Sequence, residues 1–300
     1  MVLENLQNRQ LSTIVEYQHV YKKMIPEVVQ SEISRLYGLG YSGGRIAPLF
    51  GLSPDSVISV IRRLGISRKG RSYPVDEHYF ETINTLEKAY FLGLMLSDGY
   101  NDEVRGKAEI TLQSGDKDIL ERFSEAIFKG RPLQFKKGGF FRGRNTQDCW
   151  KFYLSNRTLS TDLARHGVKQ AKSFTAQMPS IRLDLMRHLV RGYFDGNGGF
   201  SARENGFGVL HATARINGAT NLVTKISTFL CENCIKNTLS IVSHNSKEMA
   251  EVAIHSQAEL LKLFDLLYED IKNLCLRRKY LRFTVFFKIK NIKYEEHCSF

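Results

Sequence analysis

The chain has 300 residues, 42% of them hydrophobic, enough to bury the core of one large domain or of two to three ordinary ones. Forty-three Lys and Arg against thirty-one Asp and Glu leave a net charge of +12, which points to a polyanionic partner, nucleic acid foremost, and carries no information about fold. No uninterrupted apolar run approaches the roughly 18 residues of a membrane span, and the start "MVLENLQNRQ" lacks the basic and apolar regions of a signal peptide, so a cytoplasmic protein without membrane association is expected.

Residues 1–73 differ in character from the rest. Three short helices are expected, at about 30–37, 42–50 and 54–64, with Gly38 and Gly40 breaking the first connection and "GLS" at 51–53 forming the second. Ser53 is placed to cap the third helix, with Pro54 at its first position, where a missing N–H costs nothing. Ile46, Leu49, Val57, Ile58 and Ile61 have the spacing to join the last two helices in a small core. The arrangement resembles a helix-turn-helix. Its third helix would offer Asp55, Ser56, Ser59, Arg62 and Arg63 to a groove, followed by a basic arm with Arg68, Lys69 and Arg71. A count of ten basic to five acidic residues in 1–73 favours DNA over a helical hairpin of no such role.

"YPVDEHY" at 73–79 marks a boundary, and two halves follow, 76–180 and 181–300. In the first, an apolar helix runs from about Thr85 to Gly99. The strand "AEITLQS" alternates Ala108, Ile110 and Leu112 against Glu109, Thr111 and Gln113. An amphipathic helix, a basic hairpin carrying Lys136, Lys137, Arg142 and Arg144, a strand with outward Lys151 and Tyr153, and a closing helix complete the half. The second half repeats the order. Its strand "FGVLHATARIN" sets Leu210, Ala212, Ala214 and Ile216 against His211, Thr213 and Arg215, and the last residues form a tail. Each half ends in a basic cluster, near Lys169 and Lys172 and at Arg277, Arg278 and Lys279. A repeat this long is a duplicated domain with pseudo-twofold symmetry rather than a solenoid unit, and a monomer is expected.

Each half opens on an apolar helix with one central glycine, Gly93 and Gly192, 99 positions apart. Helices approach closely only where side chains are small, so the two should cross at these glycines. Asp98 and Asn197, five positions further on, would then emerge together at one surface. Paired oxygen ligands beneath a symmetric basic saddle suggest divalent metal, with carboxylate and backbone carbonyl suiting Mg²⁺, and hydrolysis of phosphodiesters. The polar strand faces, Glu109, Thr111, Gln113, Lys151 and Tyr153 with His211, Thr213 and Arg215, would read base edges and phosphates of double-stranded DNA.

"AYFLGLMLSDG" and "HLVRGYFDGNG" resemble the two signature helices of the single-chain LAGLIDADG homing endonucleases, over about residues 76–283. The resemblance implies an α+β fold of two αββαββα halves with saddle-shaped antiparallel sheets. It implies Mg²⁺-dependent cleavage, with Mn²⁺ as substitute and Ca²⁺ as a non-cleaving one, leaving short 3′ overhangs within a long site. The family's metal-binding acid maps onto Asp98 and onto position 197, with the Gly196 carbonyl beside it, and its basic residues map onto Lys172 and Lys279. An added helix-turn-helix resembles free-standing members of the group associated with intron mobility.

Position 197 departs from the family pattern, because an acid is expected and Asn stands there. Asn ligates through a neutral oxygen and removes one negative charge from the site, so attenuated or abolished cleavage is expected. A shifted register would let Asp195 serve instead, but it moves the glycine contact from Gly192 to Val190. The alternative from another class is a non-cleaving transcription regulator on the same scaffold. The five cysteines, including "CENC" at 231–234, show no complete zinc spacing, and His188, His211, His244 and His255 read as core or surface residues, with His211 kept as a DNA contact.

Overall fold

The computed structural model describes residues 25–39, 41–66, 73–141, 143–244 and 247–298. Arg68, Lys69, Arg71 and Arg142, four of the expected DNA contacts, lie outside the described residues. The chain divides into two compact units, Met1–Tyr73 and Pro74–Phe300.

In the first unit, α1 spans Glu27–Gly38, α2 Gly43–Ile46 and α3 Pro54–Arg63. The helix expected over 42–50 is split. α2 passes into a 3₁₀ turn, Ala47–Phe50, which contains Pro48, a residue with no N–H to continue an α ladder. Ser53 caps α3 as its sequence suggests, accepting a hydrogen bond from the Ser56 amide at 3.1 Å. Ile33, Leu36, Ile46, Ala47, Val57, Val60 and Ile61 form the core. Leu49, expected there, is 46% exposed: the 3₁₀ turn changes its direction, and Val60 is buried instead.

The second unit contains two halves with the same strand order. The first comprises α4 (Leu86–Ser97), β1 (Gly99–Asp102), β2 (Lys107–Gln113), α5 (Lys117–Ile127), β3 (Gln134–Lys136), a small ribbon of β4 (Phe140–Phe141) and β5 (Arg144–Asn145), β6 (Cys149–Ser155), α6 (Arg157–Arg165) and α7 (Lys172–Thr175). The second comprises α8 (Leu183–Asn197), β7 (Gly198–Glu204), β8 (Leu210–Gly218), α9 (Thr220–Glu232), β9 (Thr238–His244), β10 (Lys247–Ile254), α10 (Gln257–Tyr268) and α11 (Arg277–Ile289). The antiparallel sheets run β1-β2-β6-β3 and β7-β8-β10-β9, so both place the first strand at one edge and the third at the other.

Alternation decides which face of each sheet is buried. Ala108, Ile110 and Leu112 point inward from β2, and Ala212, Ala214 and Ile216 from β8. Aromatic contacts close the core of each half. Phe123 of α5 stacks on Phe91 of α4 at 4.4 Å and meets Phe152 of β6 at 5.3 Å, while Phe283 of α11 meets Phe200 of β7 at 4.3 Å. The halves differ in their third strand: β3 has three residues, β9 seven. Among the described residues no helix is long and apolar enough to cross a membrane.

Candidate active site at the helix junction

α4 and α8 are buried on all sides over most of their length, as helices at the centre of a two-sheet fold must be. They touch backbone to backbone. A Cβ added at Gly93 would overlap the Leu189 carbonyl and lie 2.8 Å from the Tyr193 amide nitrogen; one at Gly192 would overlap the Tyr90 carbonyl and lie 2.9 Å from the Leu94 nitrogen. The expected crossing is therefore present at both glycines. It brings the helix ends together, since a Cβ at Gly196 would fall 2.5 Å from Ser97 Cβ and 2.8 Å from Asp98 Oδ2.

Two buried lysines flank this junction. Lys172, 8% exposed, begins α7 immediately after Ala171, whose φ of 55° turns the chain, and its Nζ donates to the Ser97 carbonyl at 2.8 Å. Lys279, 5% exposed, lies in the first turn of α11 and donates to the Gly198 carbonyl. Burial lowers both pKa values to about 8. Asp98 is exposed at the residue level yet crowded by the converging helices. That desolvation raises its pKa, against the pull of Lys172, Lys279 and Arg278. Arg278 is itself held by Asp116 of the other half, at 2.9 and 3.2 Å.

Asn197, half-buried at the end of α8, donates from Nδ2 to Tyr193 Oη at 3.2 Å, and Tyr193 Oη donates to the Asn217 carbonyl at 3.0 Å. Burial raises the Tyr193 pKa to about 12. Asp195 is elsewhere. It is 0% exposed, accepts from Tyr90 Oη and from the Leu276 amide, both at 2.8 Å, and its pKa is raised to about 6 by burial. The register that would use Asp195 at the junction is thus not the one adopted, because Gly192 makes the crossing.

The outward faces of the sheets collect the expected polar residues. Pairing places Thr111 opposite Lys151 and Glu109 opposite Tyr153; Lys151 and Glu109 form an ion pair. Lys136 of β3 is exposed, as are Lys137 and Arg144 nearby, and Gln113 shares a face with Lys136 through Cys149. On the second sheet Thr213 meets His255 at 3.3 Å, Arg215 meets Glu251 at 3.5 Å, and His211 meets Asn205 at 3.1 Å. In the first unit Ser59, Arg62 and Arg63 are exposed on α3 and Ser56 half-buried, its Oγ 2.8 Å from Ser53 Oγ.

Sequence reasoning missed Tyr100, opposite Glu109, and Ser201 and Arg203, opposite Thr213 and His211. All three lie on β1 or β7, which begin one residue after a helix, at Gly99, and directly after one, at Gly198. The Gly99 and Gly198-Gly199 breaks were the available signal. His188 is a core residue whose Nδ1 accepts from the Arg191 guanidinium at 2.9 Å, and its pKa is lowered to about 3 by burial. Cys231 and Cys234 are exposed and unpaired by any disulfide.

No protein-family model and no curated protein matches the chain. Solved structures similar to it include LAGLIDADG homing endonucleases bound to DNA. I-LtrWI with its target DNA is 14% identical over 73% of this chain and 92% of its own, with a TM-score of 0.44. I-WcaI with its DNA recognition sequence is 10% identical over 78% and 98%, TM-score 0.46. I-DmoI with DNA and Ca is 14% identical over 62% and 90%, TM-score 0.41.

Proposed function

We propose that the chain is a LAGLIDADG-type homing endonuclease that makes a metal-dependent staggered break in a long DNA site, attenuated by the amide at position 197. The observation that carries this reading is the junction itself. Two helices crossing at Gly93 and Gly192 bring Asp98 against Gly196, the residue before Asn197, with Lys172 and Lys279 anchored on the Ser97 and Gly198 carbonyls.

The donors there are all hard oxygens: the Asp98 carboxylate, the Asn197 amide oxygen and the Gly196 backbone carbonyl. They fit one Mg²⁺, Mn²⁺ or Ca²⁺ ion, though only one donor is anionic and no group of three His, Cys, Asp or Glu stands together among the described residues. A bound Mg²⁺ would polarise the scissile phosphate and activate water. The side chains do the rest. Lys172 and Lys279, with pKa values near 8, supply ammonium groups to the phosphates or exchange protons there. The missing side chain at Gly196 leaves room for Ser97 and the Asp98 carboxylate, which a Cβ there would crowd. The outward sheet faces and the first unit, read as a helix-turn-helix with Arg62 and Arg63 toward the DNA, give length to the site.

The test is incubation of the full chain with Mg²⁺ and a DNA library from around its own coding region. Nicked or broken product that disappears in Asp98→Ala, with binding kept within a few-fold, is expected. The single anionic donor also favours a second reading, a non-cleaving transcription regulator; sequence-preferring binding without any product would select it.

A further inference from the structure

We propose that Tyr193 is a positioning residue that requires a neutral amide at position 197, so that the junction is built with one carboxylate and one amide and is not a damaged pair of carboxylates. The inference rests on reading the junction as the reactive centre.

The argument is one of donors and acceptors. Tyr193 Oη carries one proton, and it is committed: the oxygen lies 3.0 Å from the Asn217 carbonyl, which can only accept. What Tyr193 offers position 197 is therefore a lone pair. Asn197 meets it with Nδ2–H at 3.2 Å, which also settles the orientation of the amide. Its Oδ1, with no hydrogen-bond partner among the described residues, is left as the oxygen donor. A carboxylate at 197 would face Tyr193 with acceptor against acceptor, or would take the phenol proton and leave the Asn217 carbonyl without it.

Three further positions are adapted to this arrangement. The 99-residue offset places Leu94 where the second half has Tyr193, so the helix that ends in an acid has no hydrogen-bonding group one turn back. Strand pairing equates Ile110, opposite Gly99, with Ile216, opposite Gly198; two residues on, Leu112 corresponds to Gly218. A Cβ at Gly218 would collide with Tyr193 Oη. The pair Leu94 and Leu112 is thus exchanged for Tyr193 and Gly218, one larger and one smaller than leucine, in the half that exchanges Asp98 for Asn197. A single inactivating substitution at 197 would not bring these changes with it.

The experiment is a four-protein cycle of the full chain: wild type, Asn197→Asp, Tyr193→Phe and the double variant, each titrated calorimetrically with Ca²⁺ alone and melted without metal. With Tyr193 present, Asn197→Asp should lower Tm by several degrees and strengthen Ca²⁺ binding by less than about threefold. In the Tyr193→Phe background the same change should leave Tm nearly unmoved and strengthen binding by about tenfold or more. A merely structural tyrosine would give additive Ca²⁺ affinities. Additivity, or Asn197→Asp gaining about tenfold at unchanged Tm with Tyr193 in place, would overturn the proposal. Absence of Ca²⁺ binding in all four proteins would defeat the metal-site reading, while the Tm cycle would still decide the role of Tyr193.

Discussion

Arg278 of α11 holds Asp116 of the first half through both carboxylate oxygens, at 2.9 and 3.2 Å, and the same helix turn carries Lys279 to the junction. Asp116 is 2% exposed, and even with this partner its burial keeps its pKa raised. The pair ties the two halves beside Asp98. Asp116→Ala should destabilise the second unit by about 1–3 kcal/mol, the cost of a guanidinium left without its partner at a partly open site. Chemical denaturation measures this. An unchanged midpoint would show that the bridge contributes nothing to the docking of the halves.

Glycine at the helix crossing has no substitute. Gly192→Ala would drive a methyl into the Tyr90 carbonyl, and backbone cannot rotate away as a side chain does. A loss of about 3 kcal/mol or more is expected in a urea titration, at the upper end of overpacking costs. Gly44→Ala, where an added Cβ meets nothing within 4 Å, serves as the control and should be nearly neutral.

The two aspartates near the end of the helices should separate cleanly. Asp98→Ala removes an accessible carboxylate and should leave stability within about 0.5 kcal/mol while abolishing cleavage. Asp195→Ala removes the acceptor of Tyr90 Oη and the Leu276 amide and should cost about 1–3 kcal/mol or more. Because the folded pKa of Asp195 is raised to about 6, the fold binds its proton more tightly than the unfolded chain does. Its contribution to stability is therefore fully present below the unfolded value, near 3.8, and is lost as pH rises through about 6. Stability curves of wild type and Asp195→Asn between pH 4 and 7 should converge at the acid end.

Lys172 and Lys279 give a second pH dependence of opposite sense. Their pKa values are lowered from 10.5 to about 8, so the unfolded chain binds more protons between those values and their contribution to stability improves as pH rises from about 8 to about 10.5. Binding to DNA should run the other way. Each ammonium lost removes a phosphate partner, and the slope of log K against log salt should be shallower at pH 9.5 than at pH 6.5 by up to about 1.8, two contacts at about 0.9 each. Lys172→Met should remove half of the difference.

Much of this architecture was legible before any coordinates. The strand periodicities of "AEITLQS" and "LHATARIN" identified the inward faces residue by residue, because a half-buried strand has no other way to hide its apolar side chains. The central glycines predicted the crossing for the same reason of volume. What was illegible was geometry decided within a residue or two at element ends: the 3₁₀ turn that exposes Leu49, and the strands β1 and β7 that begin within one residue of a helix end.

By itself, then, the sequence determined the duplication, the two buried helices and the polar faces, since these follow from periodicity and side-chain volume, which are local properties of a chain. Tertiary structure alone decided what each polar side chain at the helix ends faces. Asp195 and Asn197 are two residues apart, yet one turns into the core to hold Tyr90 and Leu276, and the other stands at the junction with its amide oriented by Tyr193. That distinction depends on hydrogen-bond partners up to 105 residues away, and no spacing in the sequence records which lone pair a buried phenol has left to offer.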